Sequence, residues 1–186
     1  MAKNTTLSFE FYPPQTKEGV EKLKQTAKDL NQFNPEFFSV TFGAGDSTKE
    51  KTLETVLDLE QSGFNATPHI SCISSSKAEI KELLVKYKSQ KINHIVALRG
   101  DNPSGSINFG ELNYANELVS FIKSEMGDTF KIDVGAYPEV HPESETAKQD
   151  FINFKNKVEA GADSAITQFF YNVDSYFKFV DECQKN

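Results

Sequence analysis

Positive charge is scarce in this 186-residue chain: 20 Lys and Arg stand against 27 Asp and Glu, a formal net charge of −7. That balance argues against a nucleic-acid partner, which selects a basic face. It leaves room for a small anionic ligand, because a few local groups dominate such a site. Arginine is scarcer still, with Arg99 alone among the 20 basic residues. Either chance placed it, or that one position needs a planar, bidentate donor. The two cysteines, Cys72 and Cys183, match no zinc or redox spacing and are too few for a disulfide scaffold, so a reducing cytoplasm is the expected compartment. No apolar run approaches the ~20 residues of a membrane span, and the start, MAKNTTLSFEF, lacks the apolar core of a signal peptide. Disorder is excluded by the 38% hydrophobic content spread along the whole length.

Short β-rich runs recur at Leu7–Tyr12, Phe37–Phe42, Ala66–Ile73, His94–Leu98, Ile132–Tyr137 and Ala165–Phe170. Between them lie stripes of helical period: Val20, Leu23, Ala27 and Leu30; Ile80, Leu83, Leu84 and Tyr87; Leu112, Ala115, Leu118, Val119 and Ile122; Val173, Tyr176, Phe177 and Val180. Ser47-x-x-Glu50 and Ser76-x-x-Glu79 read as capping boxes, and Gly63 and Gly161 fall where helices end. All seven prolines are expected at strand ends or in loops. Six β-α repeats call for a parallel sheet covered by helices. The strand spacing, on the order of 30 residues, matches one unit of a (β/α)8 TIM barrel. A doubly wound open sheet is the alternative, but no strand is followed by GxGxxG or GxxxxGK[ST], and Gly43-Ala44-Gly45 is only a faint echo of such a loop. The expectation is a single catalytic domain over residues 1–186, an α/β TIM barrel of which about six βα units are present.

Ligands bind at the carboxyl ends of the strands in either architecture. The polar residues placed there are Glu10, Thr41, His69, Arg99 with Gly100 and Asp101, Tyr137 with Glu139 and His141, and Gln168. Glu10 stands between aromatics, where burial would raise its pKa and suit a proton donor. His69 is either a core histidine or a ligand contact; His94 opens its strand at the opposite end and reads as structural. Gln168 suits the edge of a flat heterocycle, or a hydrogen bond inside the barrel. Three scattered histidines without HExxH give no metal site, and no serine sits in a GxSxG elbow. One acid, one arginine and many aromatics suit a large, flat, anionic cofactor better than hydrolysis.

Ser8-Phe9-Glu10-Phe11-Tyr12-Pro13-Pro14, Ser39-Val40-Thr41-Phe42-Gly43-Ala44, Pro68-His69-Ile70-Ser71-Cys72, Ala97-Leu98-Arg99-Gly100-Asp101, Ala136-Tyr137-Pro138-Glu139-Val140-His141-Pro142-Glu143 and Ala165-Ile166-Thr167-Gln168-Phe169-Phe170 occur in that order. Together they resemble the bacterial, FAD-dependent methylenetetrahydrofolate reductase family. The resemblance implies a TIM barrel holding FAD and passing a hydride from NADH or NADPH, through the flavin, to methylenetetrahydrofolate in ping-pong order. It implies Glu10 as general acid, Asp101 as a catalytic charge near flavin and folate, and Gln168 as a substrate contact. FAD contacts would be Thr41, His69, Arg99, Gly100, Asp101, Tyr114, Ala115, Tyr137, His141, Asp150, Asn153 and Lys157. Asn156 stands where better-known members carry a basic residue, and Phe42 where tyrosine is common.

Family catalytic chains run through eight strands, so the resemblance also implies an incomplete barrel, homo-oligomeric at full length. An inactive truncated barrel, one part of a split enzyme, or a flavin-free folate-linked methyltransferase are the alternatives. An aldolase would need a Schiff-base lysine, and no lysine stands at the six expected strand ends.

Overall fold

The computed structural model describes residues 6–42, 46–73, 75–101 and 110–185, with the side chains of 46–48 also outside the description. Gly43, Ala44 and Gly45, and the side chain of the expected cap Ser47, therefore lie outside the described residues. Among the described residues, six strands alternate with six α-helices. The strands are β1 (Ser8–Phe11), β2 (Phe37–Val40), β3 (Ala66–Ser71), β4 (His94–Leu98), β5 (Lys131–Ala136) and β6 (Ser164–Thr167). The helices are α1 (Lys17–Leu30), α2 (Asp46–Gln61), α3 (Lys77–Ser89), α4 (Ala115–Met126), α5 (Ala147–Glu159) and α6 (Val173–Lys185).

Every neighbouring pair of strands is parallel, and their order in space is their order in sequence. A doubly wound sheet reverses direction at a switch point; an unbroken β1-to-β6 order curls one way, as in a barrel. The result is six strands of a TIM-type barrel, with β1 and β6 at the open edges.

Alternation along each strand sorts the side chains. Outward residues such as Phe38, Val40, Ile70, Ile95, Ile132 and Val134 are buried against Ala27, Leu59, Leu84, Leu118 and Ile122 of the helices. Each such side chain stabilises the fold by roughly 1.5–3 kcal/mol. Phe9 and Phe11 join this outer layer, stacking on Phe38 at ring distances of 5.9 and 5.5 Å. Glu10, one residue out of phase, is thereby turned to the inner face.

The expected punctuation is partly met. Ser76 and Glu79 form the complete reciprocal capping box at α3. Gly63 and Gly161 follow α2 and α5 at φ of +84° and +110°, conformations that glycine adopts without strain. Leu112 precedes α4 rather than belonging to it, yet it is buried in the core. Pro68 is not at a strand end: it lies inside β3, opposite Val40, directly before the first residue paired with β4, His69.

At the amino-terminal end of the strands, polar side chains link four of them. Thr67 Oγ1 lies 3.1 Å from His94 Nδ1, His94 Nε2 lies 2.8 Å from Asp133 Oδ2, and Ser164 Oγ donates to Asp133 Oδ1. The Phe37 ring meets His94 edge-on at 4.7 Å. His94 is therefore structural, as its position in the sequence implies.

Candidate active-site crevice

The opposite, carboxyl end of the strands opens into a crevice of about 720 Å³ on the inner face. Nine residues read from the sequence line it: Glu10, Thr41, His69, Arg99, Gly100, Asp101, Tyr137, His141 and Gln168. They come from all six strands or the turns that follow them. Period-two alternation brings His69 and Ser71 inward from β3, while Ile70 between them packs outward.

His69 is buried, and among the described residues its Nε2 has no hydrogen-bond partner, although Glu10 Oε2 lies 3.4 Å away. Burial pushes the His69 pKa down to about 4, so the imidazole is neutral near pH 7. Partial burial raises the Glu10 carboxyl. The expected cause differs from the observed one. Glu10 is not enclosed by its sequence neighbours, because Phe9 and Phe11 point the other way; its side chain is 51% exposed.

Arg99 is anchored through its backbone. Its carbonyl accepts from Ser71 Oγ at 2.7 Å and from Ile73 N at 3.0 Å. Its guanidinium meets Glu143 in a bidentate pair, with Nη1 to Oε2 at 2.6 Å and Nη2 to Oε1 at 3.0 Å. Gly100 has φ +87°, and a Cβ there would stand 2.0 Å from Ser71 Oγ. The glycine is thus required by packing of its own turn on β3, whatever ligand approaches it.

The remaining five predicted residues lie apart from this crevice. Tyr114 occupies the N-cap of α4 without a side-chain cap bond, and Ala115 opens that helix. Asn153 is on the exposed face of α5, accepting from Gln149 Nε2. Asp150 and Lys157 line a second cavity of about 560 Å³ between the β5–α5 turn, α5 and α6. Asp150 accepts from the backbone N–H of His141 at 3.0 Å, and Lys157 Nζ donates to the Gly135 carbonyl at 2.5 Å. Burial lowers the Lys157 pKa, opposed by the nearby Asp150 charge. Tyr137 lines both cavities and is the bridge between them.

Lys49 and Ser71 also line the crevice, and neither was singled out from the sequence. Alternation within Thr67-Pro68-His69-Ile70-Ser71 contained the signal for Ser71. Lys49 reaches in from α2, and no strand-end search would find it. Cys72 is fully buried and its thiol is pushed up to about 11 by burial, so it is no nucleophile. Among the described residues, no group of three or more His, Cys, Asp or Glu side chains is arranged to hold a metal ion.

The family model for methylenetetrahydrofolate reductase matches residues 1–186. The chain belongs to the methylenetetrahydrofolate reductase family. A 5,10-methylenetetrahydrofolate reductase of Pectobacterium carotovorum is 45% identical over 179 residues, covering 95% of this chain and 58% of that protein. The Escherichia coli (strain K12) protein of the same name is 44% identical over 178 residues, with 95% and 59% covered. An Arabidopsis thaliana methylenetetrahydrofolate reductase (NADH) is 37% identical, with 97% of this chain and 33% of that protein covered. The chain spans about three fifths of the length of these bacterial relatives. Two solved structures share the fold. One is a Clostridium thermocellum protein described as binding two copies of 5-methyl-5,6,7,8-tetrahydrofolic acid (TM-score 0.62, 14% identity, 95% of this chain and 59% of that one covered). The other is the aldolase QR15 (TM-score 0.60, 16% identity, 100% and 75% covered).

Proposed function

We propose that the crevice serves the family's reaction: FAD-dependent reduction of 5,10-methylenetetrahydrofolate to 5-methyltetrahydrofolate by NADH or NADPH, the two substrates alternating in one site. The observation that carries this reading is Glu10. A carboxyl with a raised pKa faces the inner end of a TIM-type barrel beside a neutral, unpaired imidazole. A carboxyl whose pKa is raised by partial burial is a better proton donor than an ordinary surface carboxyl.

The residues fit FAD in kind. The crevice offers a guanidinium at Arg99, an unpartnered ring nitrogen at His69, and an aromatic wall at Tyr137. Bound there, the flavin supplies a hydride carrier between nicotinamide and folate. Thr41, His69, Arg99, Gly100, Asp101, Tyr137 and His141 would hold it from the crevice. Tyr114 and Ala115 would do so from the start of α4, and Asp150, Asn153 and Lys157 from α5.

The chain's own groups then divide the work on the folate. Glu10 gives a proton to N10 and opens the five-membered ring to an electrophilic iminium. Asp101 places a negative charge where that cation develops. Gln168, just past β6 and exposed, contacts the substrate.

The test is the visible spectrum of the purified protein before and after anaerobic NADH or NADPH. Flavin bands that bleach, and return on adding methylenetetrahydrofolate, are the expected result. A colourless protein that takes up no added FAD would overturn the reading for this chain.

A further inference from the structure

We infer that Glu143 is an internal anion that occupies the Arg99 fork and is exchanged for the phosphate groups of an incoming ligand. The inference rests on the proposed flavin site and adds a residue to it. Arg99 Nη1 and Nη2, the pair of donors that a phosphate would take end-on, are both bonded to Glu143, while Nε donates to the Gly100 carbonyl at 3.2 Å. An anion therefore reaches that face of the guanidinium only by displacing the carboxylate.

The two partners are unequally held. The Arg99 side chain is 25% exposed and its backbone is fixed to β3, whereas the Glu143 side chain is 61% exposed. Besides the pair with Arg99, Glu143 is held among the described residues by its backbone N–H, which donates to His141 Nδ1 at 3.0 Å. Its carboxylate can turn into water with little loss, since an ion pair with so exposed a partner is weak and screened. Glu143 is consequently the member that moves. A ligand of higher charge density displaces it, and an uncharged ligand does not. The exchange makes Glu143 a competitor that moderates phosphate affinity at Arg99, lowering the preference for phosphorylated ligands while keeping Arg99 neutralised between them.

The probes are inorganic pyrophosphate by calorimetric titration, and FAD and riboflavin by flavin fluorescence, on the 186-residue chain. Glu143→Gln, with Glu143→Ala as a second variant, is expected to bind pyrophosphate and FAD about fivefold more tightly and riboflavin unchanged. Arg99→Ala removes the gain. Pyrophosphate binding that weakens or stays equal in both Glu143 variants, or that is absent from wild type and variants alike, overturns the exchange. Tightened pyrophosphate binding without any flavin uptake sustains the exchange and sinks the flavin reading instead.

Discussion

Three side chains carry testable consequences one residue at a time. Tyr87 is fully buried in α3 with a hydroxyl that has no hydrogen-bond partner among the described residues. Tyr87→Phe removes an uncompensated polar group and is expected to raise stability by about 1 kcal/mol, read from urea unfolding. His69 is held neutral by burial, its pKa lowered from 6.5 to about 4. A depressed folded-state pKa gives stability that is present above pH 6.5 and falls away as pH drops toward 4. Between pH 7 and pH 4.5 this amounts to roughly 2–3 kcal/mol, and His69→Gln should flatten that slope in unfolding curves taken across the window. Glu10→Gln separates the half-reactions: nicotinamide-driven bleaching should survive, while folate reduction slows by about 100-fold or more in stopped-flow traces. Equal loss of both half-reactions would deny Glu10 its role as proton donor to the folate.

At the scale of elements, the strand ends and turns place the chemistry. The Arg99–Gly100 turn folds back onto β3 so closely that no side chain is tolerated at position 100. Gly100→Ala meets both a positive φ and the Ser71 hydroxyl, and is expected to cost about 2–3 kcal/mol in unfolding free energy. At the other end of the sheet, Asp133 is 3% exposed and carries hydrogen bonds from His94 and Ser164. Burial would raise its pKa, but those two bonds hold it below the usual carboxylate range. Its contribution is therefore present above the unfolded carboxylate pKa and lost as pH falls through the lower folded one. Asp133→Leu leaves His94 and Ser164 without their acceptor and should destabilise by about 3 kcal/mol at pH 7. Loss of activity without loss of stability in that variant would show that the network does more than join strands.

For the molecule as a whole, the open edges are the dominant physical feature. β1 and β6 each have one described neighbour, and large apolar groups near β6 stand in solvent, with Phe169 75% and Tyr171 90% exposed. Unpaired strand edges flanked by apolar surface promote association. The 186-residue chain by itself is expected to show a concentration-dependent rise in mass by light scattering, and a constant monomer mass would contradict this.

The alternation of β-rich runs with 3.6-period stripes determined the six βα units, because each local pattern specifies which face of an element is apolar. The residue types at the strand ends, with one arginine and one acid among aromatics, marked the end of the sheet where the crevice opens. Strand spacing near 30 residues and the missing phosphate-loop motifs favoured a barrel over a doubly wound sheet, and the unbroken β1-to-β6 order, set by contacts between residues some 30 positions apart, bears that out. Tertiary structure divided the fourteen site residues between a crevice, a second cavity, the start of α4 and, for Asn153, the exposed face of α5. It brought Glu143 onto Arg99 across 44 residues of chain. Those outcomes are set by packing and by side-chain direction, and neither is encoded in any short stretch of sequence.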